Sequence, residues 1–222
     1  MKPIVRAVLF DLDGTLADTL ADLANATNAA LAAVGCPPHP RDKYRHLVGD
    51  GARTLCARAL PADRQELVDA VRERMRAHYA AHCFDETRLY AGIPELIAAL
   101  REQNYRLAVL SNKPDDFTQQ MIAHYFPAGM FQVVRGQVAG MPLKPDPAAA
   151  LAIARQLGIP AREWLYLGDT NTDMQTATAA GMTPVGVLWG FREKEELLTS
   201  GAAQIMATPA DVLKLLAGAQ SR

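Results

Sequence analysis

The strongest constraint on how this chain can fold is a rhythm of short β-rich apolar runs separated by helical patterns. The first run is Ile4 to Phe10. Others are "RLAVLSN" (Arg106 to Asn112), "QVVRG" (Gln132 to Gly136), "WLYLGD" (Trp164 to Asp169), "TPVGVLW" (Thr183 to Trp189) and "AQIMAT" (Ala203 to Thr208). Several are apolar without alternation, the pattern of strands covered on both faces. Between them, "PELIAALREQ" carries Pro94 at a first helical position, where its missing N–H has no partner to lose. "PAAALAIARQLG" and "DMQTATAAG" end in Gly158 and Gly181, suited to helix C-terminal caps, and "PADVLKLLAG" supplies a last helix. Strands alternating with helices predict an α/β fold, a doubly wound parallel sheet of Rossmann-like form.

One stretch breaks the rhythm. From Ala17 to Cys83 no strand pattern is found, while Leu20, Leu23, Ala24, Thr27, Leu31 and Val34 follow helical spacing. So do Leu67, Val68, Val71, Met75 and Tyr79. The Pro-rich loop "GCPPHPRD" and the segment "VGDGARTLCARAL" lie between the two patterns. The expected organisation is an α/β core of residues 1–16 and 85–222 with an all-helical insertion, 17–84, after the first strand. A length of 222 residues, half of them hydrophobic, suits one domain with an insertion and is ample for a core.

Composition excludes several partner classes. The formal net charge of −1, with acids and bases interspersed, gives no global basic field for nucleic acid. No stretch approaches the roughly 20 apolar residues of a membrane helix, and the N-terminus runs into acids too soon for a signal peptide. The three cysteines, Cys36, Cys56 and Cys83, are isolated and read as reduced thiols of a cytoplasmic protein. His78 and His82, four apart beside Cys83, lack the further ligands of a zinc motif and read as a helix face. Trp164 and Trp189 read as strand packing.

The chemistry sits where the predicted strands end. "LFDLDGTLADT" places Asp11 and Asp13 directly after the first strand. Burying one carboxylate is costly, and two close together resist joint ionisation, so the pair calls for a cation, a substrate or both. Ser111, Asn112 and Lys113 follow "LAVL", Lys144 precedes a helix in "LKPDP", and "GDTNTD" ends a strand at Asp169 with Asp173 four residues on. A helix starting near Thr170 brings Asp169 and Asp173 together at its N-terminus. Open α/β sheets bind ligands at these strand ends. Asp11, Asp13 and Asp169 can offer oxygen ligands to a hard cation such as Mg²⁺, and Ser111 and Lys144 can hold phosphate oxygens. One carboxylate of the first pair is then free to attack phosphorus and the other to move the proton.

At these residues the sequence resembles the haloacid dehalogenase-like superfamily of phosphatases. Its DxDGT motif is matched by Asp11, Asp13, Gly14 and Thr15, its hydroxyl motif by Ser111, its lysine by Lys144 and its acidic pair by Asp169 and Asp173. Within the superfamily the chain is most similar to the phosphoglycolate phosphatase group, through "DLDGTLADT", "VGDGARTL", "SNKP", "KPDP" and "GDTNTD". The resemblance implies that the insertion is a mobile cap and that Asp11 is the nucleophile, with Asp13 as acid and then base. Asp11, the backbone carbonyl of Asp13 and Asp169 would bind Mg²⁺, and Asp173 would support the metal from the second layer. Thr15, Ser111, Asn112 and Lys144 would bind phosphate. The implied partner is a small phosphorylated metabolite, and the chain is expected as a monomer or homodimer.

Arg53, in the glycine-bordered "VGDGARTL", is placed to grip a substrate carboxylate bidentately, or is simply an exposed first-turn residue. Two enzymatic outcomes share this site, a phosphatase and a phosphomutase returning phosphate to a sugar. A phospho-receiver domain uses similar groups, but its phosphorylated Asp ends a later strand and it has no insertion. A silent binding protein is disfavoured, because every catalytic position is filled.

Overall fold

The structure, a computed structural model, describes residues 5–220; the predicted strand start at Ile4 lies outside them. In chain order the elements are β1 (Ala7–Phe10), β2 (Ala17–Asp18), α1 (Leu20–Ala32), α2 (Tyr44–Leu47), α3 (Ala52–Ala59), α4 (Val68–His82), β3 (Arg88–Leu89), α5 (Ile93–Glu102), β4 (Arg106–Pro114), α6 (Asp115–Tyr125), β5 (Val133–Gln137), α7 (Ala148–Gln156), β6 (Trp164–Gly168), α8 (Asn171–Ala180), β7 (Thr183–Val187), α9 (Lys194–Thr199), β8 (Gln204–Met206) and α10 (Pro209–Gln220). Six strands form one sheet in the order β5-β4-β1-β6-β7-β8, every neighbouring pair parallel. The chain builds outward from β1 to β5, then returns beside β1 to build β6, β7 and β8. Strand order therefore reverses next to β1, the position where doubly wound sheets open a crevice at their carboxyl ends.

The uninterrupted apolar runs follow from two-sided burial. Side chains alternate across a strand, and both faces of this sheet are covered. Val8 and Phe10 of β1, Leu107 and Val109 of β4 and Leu165 and Leu167 of β6 enter one core. Ala7 and Leu9, Ala108 and Leu110, and Trp164 and Tyr166 enter the other. The glycine stops act as expected: Gly158 and Gly181 both take positive φ, at 65° and 70°.

The segment between β1 and α5 is helical, with one correction. Ala17 and Asp18, expected in a strandless stretch, pair antiparallel with Leu89 and Arg88. Two-residue strands are too short to display period-two alternation, so the sequence carries no signal for them. This ribbon is the stem through which the chain leaves the core and comes back. Beyond it α1 packs along α4, and Leu23, Leu31, Leu55, Val71, Met75 and Tyr79 extend the first core into the insertion. Among the described residues no helix is long and apolar enough to cross a membrane.

Candidate active site

The parallel sheet delivers its polar residues to one rim. Asp11 follows β1, and its N–H donates to the carbonyl of Leu167 in β6 at 2.9 Å, so its backbone is fixed by the sheet. Ser111, Asn112 and Lys113 end β4, and Asp169 follows β6. Lys144 lies in the loop before α7. Its side chain, 2% exposed, donates to Asp11 Oδ1 at 2.8 Å and Asp173 Oδ1 at 2.7 Å. Asn112 holds Lys144 there: its Oδ1 accepts the Lys144 N–H at 2.9 Å, and its Nδ2 donates to the carbonyls of Lys144 and Gly49. The Asn112 side chain thus positions the lysine and a loop of the insertion.

Asp11, Asp169 and Asp173 each offer an oxygen, all within 4.8 Å of one another and all buried. Asp173 reaches back to the N–H and hydroxyl of Thr170, at 3.1 and 2.7 Å, and thereby caps α8. Its other oxygen accepts Lys144 and the Tyr166 hydroxyl, so both oxygens are engaged. Asp169 accepts the Thr15 hydroxyl at 3.2 Å and the Phe191 N–H at 2.8 Å. Thr15, expected among the phosphate-binding residues, is fully buried and orients this carboxylate instead. Gly14 makes room for it: at φ +84°, a Cβ there would lie 2.1 Å from Asp169 Oδ2.

Lys144 pairs with two of the three buried carboxylates, Asp11 and Asp173, and leaves Asp169 without a cation at contact distance. Burial foremost, then the charge of Asp173, push Asp11 up to about 7, against the pull of Lys144. Burial, Asp11 and Asp173 push Asp169 well above the carboxylate range. Burial draws Lys144 down, but Asp11 and Asp173 outweigh it and hold the ammonium well above its ordinary value. A surplus of anionic oxygen in a tight, dry cluster fits a hard divalent cation. Asp11 and Asp169 suit direct ligation, and Asp173 suits a supporting place.

Asp13 points the other way, toward the insertion. Its Oδ1 accepts the Thr19 hydroxyl at 2.8 Å and Lys113 Nζ at 2.9 Å, and its Oδ2 lies 3.1 Å from the same ammonium. Lys113 stands in the quoted "SNKP", yet the sequence assigns it no role. Nothing in spacing alone tells that a lysine ending an apolar strand folds inward. Its partner lies 100 residues earlier.

A cavity of about 610 Å³ opens between this rim and the insertion. Asp11, Asp13, Ser111 and Lys144 line its floor, and Arg53, Arg72, Arg76 and Tyr79 its opposite wall. Ser111 Oγ accepts the Lys113 N–H at 3.3 Å and faces the cavity. Arg53 is 63% exposed and lies 3.5 Å from Asp69 of α4. Arg72 shares Asp69 at 3.4 Å, and Arg76 pairs with Asp116 of α6. The sequence reading missed Arg72 and Arg76, because on a surface helix they look like any solvated arginine. The His78 and His82 rings lie 4.5 Å apart, tilted by 36°, and His82 pairs with Asp85, outside the cavity.

Residues 8–187 match the family model described as haloacid dehalogenase-like hydrolase. A phosphoglycolate phosphatase of Pseudomonas putida is 35% identical over 84% of this chain and 70% of its own. One of Haemophilus influenzae is 32% identical over 97% of this chain and 100% of its own. A crystal structure from Lactobacillus delbrueckii subsp. bulgaricus superposes with a TM-score of 0.91 at 31% identity, covering 97% of this chain and 99% of that one. The chain belongs to the haloacid dehalogenase-like hydrolase family.

Proposed function

We propose that this chain is a Mg²⁺-dependent phosphatase that hydrolyses small phosphomonoesters through an aspartyl-phosphate on Asp11, with phosphoglycolate as its substrate. One observation carries the reading: Asp11 stands on the cavity floor, gripped by Lys144 and beside two further buried acids. The two relatives named above as phosphoglycolate phosphatases support the choice of substrate.

The residues divide the work. Asp11 attacks phosphorus with the carboxylate oxygen that Lys144 does not hold, and the ester oxygen leaves. Asp13, on the leaving-group side, gives that oxygen a proton and later takes one from the water that cleaves the acyl phosphate. Ser111 and Lys144 bind phosphoryl oxygens. Asp11, Asp169 and the backbone carbonyl of Asp13 would hold Mg²⁺, with Asp173 supporting them, and the ion would offset phosphate charge. Residues 17–84 act as the cap over this chemistry, and Arg53 faces the substrate carboxylate. The enzyme works in the cytoplasm, as a monomer or homodimer.

Phosphate release from a panel of phosphorylated metabolites, compared by kcat/KM with Mg²⁺ and with chelator, tests the proposal. Metal-dependent turnover with phosphoglycolate foremost is the expected result. The cavity favours a second reading. Phosphoglycolate, at less than about 30 Å³ per heavy atom, fills less than half of the 610 Å³. A sugar phosphate at the head of the panel would support that reading instead.

A further inference from the structure

Lys113 is a buried cation that the mechanism above does not use. Its side chain is 3% exposed, against 13% for that of Asp13, and its ammonium meets both carboxylate oxygens. On the other side the ammonium lies 4.6 Å from the centre of the Tyr79 ring. Tyr79 belongs to α4 of the insertion, whereas Lys113 and Asp13 belong to the core. The ring is locked edge-on against Phe117 of α6, at 5.1 Å and 87°. One turn earlier, Arg76 covers the face of Phe117 at 4.8 Å and pairs with Asp116. The seam that seats α4 on the β4–α6 corner is therefore the seam that encloses Lys113. The Tyr79 hydroxyl is buried near the same ammonium but reaches no partner at full hydrogen-bond geometry, so the defined contact from the insertion is the ring face.

We propose that Lys113 is a positioning residue that holds the Asp13 carboxylate at the reaction centre, and that the Tyr79 ring makes this hold depend on α4 being seated against the core. The two contacts act in series. A lysine stem has four rotatable carbons and a strongly hydrated head. With the ring withdrawn, water reaches the ammonium and its grip on Asp13 loosens. An aromatic face over a desolvated cation favours the dry, paired arrangement. Proton transfer by Asp13 is thereby confined to the state in which α4 closes the cavity.

This inference rests on the reading of Asp13 as the proton-transfer group, and p-nitrophenyl phosphate separates the two. Its leaving group needs little protonation, so the initial nitrophenolate burst reports Asp11 and the later steady rate reports Asp13. Asp13→Asn keeps an oxygen for Lys113 and removes the proton function. If it turns over at the wild-type steady rate, the reading of Asp13 fails. Given a slow Asp13→Asn, Lys113→Met should keep the burst rate within about threefold while the steady rate falls roughly 10²-fold, the scale of general acid–base catalysis. Added to Asp13→Asn, it should lower the steady rate by less than about twofold, because residues acting through one another are not additive. Tyr79→Leu, which changes no charge, should lower the steady rate roughly fivefold with the burst kept, and Tyr79→Phe should recover most of that loss. The Tyr79 pair decides the matter if Lys113→Met does not fold. Equal losses in burst and steady rate, full additivity with Asp13→Asn, or a Tyr79→Phe as impaired as Tyr79→Leu would each overturn the proposal.

Discussion

Replacing Lys144 with methionine tests how much of this site is structure and how much is chemistry. Methionine preserves most of the lysine volume, so the change is one of charge. Lys144 bridges Asp11 and Asp173 at 2.8 and 2.7 Å with 2% of its side chain exposed. Removing one partner from a buried ion pair costs about 3–5 kcal/mol, because the remaining charge is left uncompensated. Here two carboxylates lose it at once. At about 2–4 °C per kcal/mol for a chain of this size, the melting temperature without metal should fall by roughly 6–20 °C. Total stability is typically about 5–15 kcal/mol, so the variant folds, but with a thin margin. The deficit depends on pH with a definite sign. Burial already raises Asp11 to about 7, and loss of Lys144 raises it further. An acid raised in the folded state contributes stability while it is protonated, and that stability fades as pH rises toward the folded value. The gap between variant and wild type should therefore be smaller near pH 5, where Asp11 is protonated in both, than near pH 8. Mg²⁺ should restore part of it, about 2.7 kcal/mol at a hundredfold excess over the dissociation constant. Turnover should drop about 10²–10³-fold even where the fold is rescued, as when a preorganised charge donor is removed. Thermal melts in chelator and in Mg²⁺ at several pH values, with kcat on the folded fraction, measure all of this. A variant that melts within about 2 °C of wild type at pH 8 in chelator would refute the electrostatic reasoning.

Wild-type protein in chelator should lose stability as pH rises from about 4 to 7, since over that range Asp11 ionises in the unfolded chain but keeps its proton in the fold; the stabilisation added by Mg²⁺ should grow over the same range, because the ion displaces that proton. A thermal shift by Mg²⁺ that is independent of pH would contradict this. Arg53→Ala should lower kcat/KM for phosphoglycolate at least about tenfold more than for a neutral phosphomonoester of similar size, if the arginine grips a carboxylate; equal losses would return it to the surface role its 63% exposure allows. Asp13→Asn should give a burst of about one nitrophenolate per site from p-nitrophenyl phosphate followed by slow turnover, and no burst from an alkyl phosphate whose leaving group needs the acid.

The core was legible because its cause is local. Two-sided burial writes uninterrupted apolar runs, and Gly158 and Gly181 mark helix ends through their positive φ. Asp11, Asp169 and Asp173 were readable for the same reason: strand ends converge in a parallel sheet, and the first turn of α8 brings Asp173 back beside Asp169. What escaped depends on contacts between distant parts of the chain. The β2–β3 stem joins Ala17 to Leu89 through pairs too short to leave a pattern. Thr15 and Asn112 sit within the expected motifs, but their side chains turn to Asp169 and to the backbone of Lys144. Lys144, expected to hold phosphate, is also buried between two acids that lie far from it in the sequence, so it bears on stability as well as chemistry. Lys113 and Tyr79 meet only because α4 folds back on β4, which no local period announces.

The central claim is that Asp11 carries the phosphoryl group. Asp13→Asn protein, mixed rapidly with p-nitrophenyl phosphate and Mg²⁺, should accumulate an acyl phosphate. Quenching, borohydride reduction and peptide mass spectrometry should place it on Asp11, with close to one modification per active site. A burst of nitrophenolate without modification of Asp11, or with the phosphoryl group on another residue, would contradict the account.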